Sequence, residues 1–133
     1  MKIERFEDLD IWKEARSLCK YIFGITRKDP FCRDFKLKDQ IMTSSGSIMD
    51  NIAEGFERGG NKEFIQYLSI SKASGGEFRS QIYRAFDWEY YNKTQTEALI
   101  NRTFDVMKDI NNFMEYLKQS EIKGIKYKKE NSN

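Results

Sequence analysis

The stretch Ser47-Ile-Met-Asp-Asn51-Ile-Ala-Glu54-Gly55-Phe-Glu-Arg58-Gly-Gly60-Asn-Lys62-Glu-Phe64 decides the fold. Ile48, Ile52 and Phe56 recur every four residues, which places them on one face of a helix. Asn51 and Glu54 sit beside that face. Gly59-Gly60 then break the helix, and Asn61 is positioned to cap its successor. The stretch reads as helix, glycine hairpin, helix. Its polar residues disclose no reaction.

Working outward, the same period recurs on both sides. A first helix is expected from about Asp8 to Lys28, with Trp12, Ala15, Cys19 and Ile22 stepping by three or four. Asp29-Pro30 ends it, because the residue before proline is pushed out of the α region. Phe31 and Phe35 in the following connection are expected to plug one end of the bundle. The second helix covers about Lys36 to Glu57, with Leu37, Ile41, Ser44 or Ser45, Ile48, Ile52 and Phe56 inward. The third starts at Asn61 and runs through Phe64, Leu68, Ser71, Gly75, Phe78, Ile82 and Ala85 to Trp88 or Glu89. After a turn near Asn92, Thr94-Gln-Thr-Glu97 matches a capping box. Leu99, Thr103, Val106, Ile110, Phe113 and Leu117 form the cleanest repeat of all. Short connections make neighbouring helices antiparallel. The fold class is therefore all-α, an up-and-down antiparallel four-helix bundle over residues 1–119, followed by a charged, disordered tail over 120–133.

Composition agrees. The 133 residues suit one domain with one core, and a single proline with eight glycines suits helices. Ten Phe and seven Tyr are more contact surface than a lone bundle needs, which points to subunit interfaces. The tail holds four lysines against two glutamates, which leaves 19 basic and 19 acidic residues elsewhere in a chain of net charge +2. A monomer that binds nucleic acid is normally more basic. An oligomer that repeats a local basic stripe needs no such excess. No apolar run approaches the about 18–20 residues of a membrane span, and the N-terminus has no signal-peptide core. Cys19 and Cys32 form no metal-binding or redox spacing, so a reduced cytoplasmic setting is expected.

The chain contains no histidine. That removes Ser-His-Asp and Cys-His catalysis and the Glu-x-x-His ligands of di-iron bundles. No glycine-rich loop has phosphate-cradle spacing, and Cys19 reads as a small core residue. Asp50, Glu54, Glu57, Glu63 and Glu77 are too solvated or too readily hydrogen-bonded to favour a metal site. Neither enzymatic activity, cofactor, metal nor small-molecule substrate is expected. Ala73-Ser-Gly75-Gly76-Glu77 is the odd segment, since each mid-helix glycine costs about 1 kcal/mol relative to alanine. Close approach to Ser44-Ser45-Gly46-Ser47 of helix two would offset that cost. Asn51, Glu54, Gly75 and Glu77 are then organisers of the helix 2–3 seam, the two glutamates bonding to Asn51, Ser74 or backbone. Candidate phosphate contacts are Arg58, Lys62, Arg79 and Arg84, with Tyr67, Tyr83, Tyr90 and Tyr91 available to stack on bases.

These residues resemble the four-helix bundle family encoded by intervening sequences within bacterial 23S ribosomal RNA genes. The resemblance is carried by Phe6-Glu-Asp-Leu-Asp-Ile-Trp12-Lys-Glu-Ala15, Leu37-x-x-Gln40-Ile41, Ser47-Ile48-x-x-Asn51-Ile-Ala-Glu-Gly55-Phe-x-Arg58, Phe64-x-x-Tyr67-Leu-x-Ile70 and Ala73-Ser-Gly-Gly-Glu77. It spans about Phe6 to Leu117. Such proteins are similar to the accessory variability protein of diversity-generating retroelements, a homopentamer that binds its reverse transcriptase and RNA. The resemblance thus implies a ring-shaped homo-oligomer, a pentamer, with RNA or an RNA-associated protein as partner. A protein-only adaptor is the alternative. Met49 stands where family members often have proline, and Met42-Thr43 where they often have arginines, so one basic pair is missing here.

Overall fold

In the computed structural model, residues 3–131 are described, with side chains through Ser120. A short 3-10 turn at Phe6–Asp8 precedes α1 (Asp10–Thr26), and a second at Phe31–Arg33 precedes α2 (Phe35–Glu57). The chain continues through α3 (Asn61–Asp87) and α4 (Lys93–Asn131). Each helix packs on two neighbours, in the cyclic order α1, α2, α3, α4, which makes a four-helix bundle. α4 extends to Asn131, and the expected tail beyond Ser120 lies outside the described side chains.

The core is the set of apolar stripes that the 3.6-residue period projects inward. Leu37, Ile41, Ile48 and Ile52 of α2 meet Leu68, Phe78 and Ile82 of α3 and Leu99, Val106 and Ile110 of α4. Each fully buried Ile or Leu contributes about 1.5–3 kcal/mol. On α1 the buried stripe is Ile11, Ala15, Leu18, Ile22 and Thr26; Ala15 and Ile22 are inward as expected, and Ile11 and Leu18 take the places of Trp12 and Cys19. Trp12 and Cys19 flank it instead. Trp12 stacks edge-on with Phe6, and the Cys19 thiol donates to the Ser45 carbonyl at 3.2 Å.

The ends of the helices show which local signals were decisive. Asp34 caps α2, its carboxylate accepting from the Leu37 amide at 3.2 Å and from the Tyr90 hydroxyl at 2.9 Å. Phe31 plugs that end, stacked on Tyr90 with ring centroids 4.5 Å apart and edge-on to Tyr91. Phe35 does not join it: as the first residue of α2 it is 66% exposed. Burial raises the pKa of the Tyr91 hydroxyl, which bonds to Thr26 in the interior. The α2–α3 hairpin turns through Gly59, whose φ of +85° favours glycine. Asn61 is the first residue of α3 rather than its cap; its amide reaches across to the Leu117 carbonyl at 3.5 Å. The capping box of α4 is Asn92-Lys-Thr-Gln95, two residues before the expected quartet. Asn92 Oδ1 accepts from the Gln95 amide at 2.8 Å, and Gln95 Oε1 accepts from the Asn92 amide at 3.0 Å.

Candidate nucleic-acid interface

The α2–α3 seam is built from small polar residues, and of the four expected organisers Asn51 and Glu54 lie at it. Asn51 donates to the Ser47 carbonyl at 2.8 Å and to its hydroxyl at 2.9 Å. Ser47 in turn bonds Ser74 across the seam at 2.8 Å. Ser71 donates to the Ile48 carbonyl at 2.7 Å, and Ser44 to Gln81 Oε1 at 2.5 Å. Gln81 then donates to Glu77 at 3.2 Å, so Glu77 bonds along its own helix rather than across the seam. Glu54 does bridge the helices, accepting from the Tyr67 hydroxyl at 3.3 Å. Neither glutamate bonds Asn51 or Ser74.

The close approach lies elsewhere than expected. Gly75 faces α4, where an added Cβ would run into the Met107 side chain, and Gly76 has nothing within 4 Å. The tight α2–α3 crossing is at Gly55. A Cβ there would come within 2.7 Å of Tyr67 Cβ and 3.0 Å of Phe64 Cδ1. Gly55 is inside α2, not at its end.

The four basic candidates fall into two groups. Arg58 and Lys62 lie at the hairpin, and Lys62 is exposed on the first turn of α3. Arg58 donates to the Tyr67 hydroxyl at 2.7 Å, lies 5.2 Å from that ring's centroid, and pairs with Glu54 at 3.3 Å. Such an exposed pair adds little stability, which leaves the guanidinium free to exchange partners. Arg79 and Arg84 belong to the far half of α3. Twenty-two residues of helix separate Lys62 from Arg84, about 33 Å, so the two groups are not one patch.

At that far end, cations lie over exposed aromatic rings. Arg79 sits 4.3 Å from the centroid of Phe104 on α4, and Arg84 lies 5.7 Å from that of Trp88 while donating to Gln40 of α2 at 2.6 Å. Among the described residues neither arginine has a carboxylate within 4.0 Å. Lys38 lies 5.0 Å from the ring of Phe35 on the neighbouring first turn of α2. Arg79 and Arg84 are about 140° apart round α3. They straddle its outer face, where Gly76, Ser80 and Tyr83 line a shallow groove with Arg79 and Phe104. Tyr83, Phe104 and Trp88 are each slightly more than half exposed. Of the stacking tyrosines expected from sequence, Tyr83 alone belongs to this surface. Tyr91 is buried, and Tyr90 stacks on Phe31.

One charged cluster has no local signal in sequence. Asp10 and Glu14 of α1 face Asp105 and Asp109 of α4 along the α1–α4 seam. Burial, then the hydrogen bond and charge of Asp109, then Asp10 and Asp105, push the Glu14 carboxyl up to about 7. Its Oε2 is buried without a donor. Among the described residues no three Cys, Asp or Glu side chains are arranged to hold a metal ion. No helix among them is long and apolar enough to cross a membrane.

The architecture has a solved counterpart. A crystal structure of a protein from Bacteroides thetaiotaomicron, described as of unknown function and from the S23 ribosomal protein family, superposes with a TM-score of 0.72. At 20% identity, over 78% of this chain and 97% of that one, the likeness concerns the fold. No curated protein matches the chain. Residues 7–112 match the family described as 23S rRNA-intervening sequence protein, the span that holds the hairpin, the serine seam and all four basic candidates. The chain therefore belongs to the 23S rRNA-intervening sequence protein family.

Proposed function

We propose that this protein is a non-enzymatic, self-assembling helical bundle that works in the cytoplasm as a binding scaffold for RNA or an RNA-associated protein. The observation that carries the reading is the far end of α3. There Arg79, Arg84 and Lys38 each lie over an exposed aromatic ring, with Tyr83 between the two arginines. Unpaired bases stack on aromatic side chains and guanidinium planes, while the same cations attract the phosphates that link them. Arginines without carboxylate partners have their full charge available for that. The family's name, which concerns an intervening sequence of 23S rRNA, fits an RNA partner.

Self-assembly, as a pentamer by resemblance, is supported by exposed Phe23, Phe35, Ile70, Tyr83, Phe86, Trp88, Phe104 and Tyr116, a large apolar display for so short a chain. Repetition round an oligomer multiplies a modest basic patch on a chain of net charge +2. The same apolar display favours the second reading, a protein-only adaptor. Binding of the full chain to an RNA hairpin with a single-stranded loop separates the two. Affinity that falls steeply between about 50 and 200 mM salt supports the RNA scaffold, and absent or salt-insensitive binding supports the adaptor.

A further inference from the structure

Packing explains half of the mid-helix pair Gly75-Gly76. Gly75 makes room for Met107 of α4, whereas nothing packs within 4 Å of a Cβ added at Gly76. Alanine would be the better helix former there, so Gly76 weakens α3 with no gain in the core. A residue that breaks a local rule without such a gain is expected at a functional position. Gly76 floors the shallow groove on the outer face of α3, a hollow of about 330 Å³ walled by Arg79, Ser80, Tyr83 and Phe104. A larger side chain at Gly76 would stand in that hollow.

The groove has a cation at each end. Lys72, Gly76, Arg79 and Tyr83 step by four, three and four residues along α3, which puts them on one face. Side chains lean toward the start of their helix, so Arg79 and Tyr83 reach back over the turn that Gly76 leaves bare. The Arg79 guanidinium is held 4.3 Å from the centroid of Phe104. On the other side, the Lys72 amine donates to Asn111 of α4 at 2.8 Å, and among the described residues it has no carboxylate within 4.0 Å. Two cations without acidic partners thus bracket an aromatic-walled slot, with about 10 Å of helix between them. An apolar protein side chain would leave both charges unmatched. A nucleotide matches them, since its base stacks on aromatic rings and carries a phosphate on either side.

We infer that Gly76 floors a slot for one unpaired base of a bound RNA, the base lying against Tyr83 and Phe104 with Lys72 and Arg79 on the phosphates that flank it. This rests on the RNA-binding reading and places the entry of a base on the arginine–aromatic surface. It also adds Lys72 to that surface. Every base has a flat face, so the slot tolerates any sequence, but a base paired within a duplex does not reach it.

The test pairs a change in the protein with a change in the RNA. Fluorescence anisotropy gives the Kd of the full chain and of its Gly76→Leu variant, each with a labelled hairpin and with the same hairpin made abasic in its single-stranded loop. Leucine fills the slot, changes no charge and is a better helix former than glycine, so Tm should not fall. Gly76→Leu should weaken binding of the intact loop at least about fivefold, the lower bound for one stacked base, with the salt slope unchanged. On the abasic loop the two proteins should agree within about twofold, because the lost base and the filled slot are the same contact. Lys72→Gln should make the slope of log affinity against log salt shallower by about 0.7. A Gly76→Leu variant that binds the intact loop like the native chain, or that loses the same factor on both loops, would overturn the slot and leave the scaffold reading standing. So would a fall in its Tm, since Gly76 would then be a packing residue. A native slope for Lys72→Gln would overturn the lysine's contact. A native chain that binds neither hairpin would remove the RNA reading and the slot with it.

Discussion

Placing a methyl group at Gly55 tests whether the hairpin block is a packing device. The Cβ of Gly55→Ala would lie 2.7 Å from Tyr67 Cβ, 3.0 Å from Phe64 Cδ1 and 3.4 Å from the Phe64 carbonyl oxygen. Tyr67 Cβ is bonded to the backbone of α3 and cannot swing aside, so α2 and α3 must part by several tenths of an ångström. Overpacking of this kind costs about 1–3 kcal/mol. Alanine's better helix propensity returns up to about 1 kcal/mol. The net loss is about 1–2 kcal/mol, a fall in Tm of about 4–7 °C for a chain of this size. Gly76→Ala is the matched control in the neighbouring helix. Nothing lies within 4 Å of its added Cβ, so only the propensity gain remains, and Tm should rise by a few degrees. Thermal unfolding followed by circular dichroism measures both. If the two variants shift Tm alike, the close crossing at Gly55 is wrong.

Three further predictions address the seams and the caps. Glu14→Gln should raise stability by about 1 kcal/mol at pH 8, after discounting for the partial exposure of the side chain, and should match the native protein near pH 4. The sign follows from a carboxyl that protonates more readily folded than unfolded, among Asp10, Asp105 and Asp109 with Arg102 nearby. Native stability is therefore lost as pH rises from about 4.5 through about 7, which urea melts across that range would show. Ser44→Ala should cost about 1–3 kcal/mol by leaving Gln81 Oε1 buried without its donor, whereas Ser44→Ala with Gln81→Met should recover most of that loss in a double-mutant cycle. Asn92→Ala should cost about 1 kcal/mol by removing the cap of α4, while Thr94→Ala should shift the urea midpoint little.

Periodicity made the four helices legible. The stripes of α2, α3 and α4 emerge nearly residue for residue, because three- and four-residue spacing of Leu, Ile and Phe has one geometric meaning. Where the reading slipped, two signals competed or the deciding partner was remote. Asn92-x-x-Gln95 and Thr94-x-x-Glu97 overlap as capping quartets, and asparagine, the stronger N-cap, prevails. Ile11 rather than Trp12 starts the buried stripe of α1, since a large ring fits better at the margin, against Phe6. Gly75 does mark room for a neighbour, but spacing cannot say which one, nor that Gly76 admits none. It is Met107 for Gly75 and none for Gly76. Nothing in the spacing marks Gly55 as the glycine of the close crossing, although its role is to admit Tyr67. Glu14 and Asp109 are 95 residues apart, and only the fold brings their charges together. The arginine–aromatic surface was half visible: Arg79, Arg84 and Tyr83 are in the sequence reading, and the rings of Phe35, Trp88 and Phe104 are supplied by the packing.

The most direct test of the scaffold account is the salt dependence of RNA binding with and without the two α3 arginines. Fluorescence anisotropy of a labelled hairpin with a single-stranded loop, titrated with the full chain from about 50 to 200 mM salt, gives the slope of log affinity against log salt. Removing two phosphate contacts per protomer with Arg79→Gln and Arg84→Gln should make that slope shallower by about 1.4. Tyr83→Ala should weaken binding with the slope unchanged, because stacking carries no counterion. A native chain that fails to bind, or a double arginine variant with the native slope, would contradict the account.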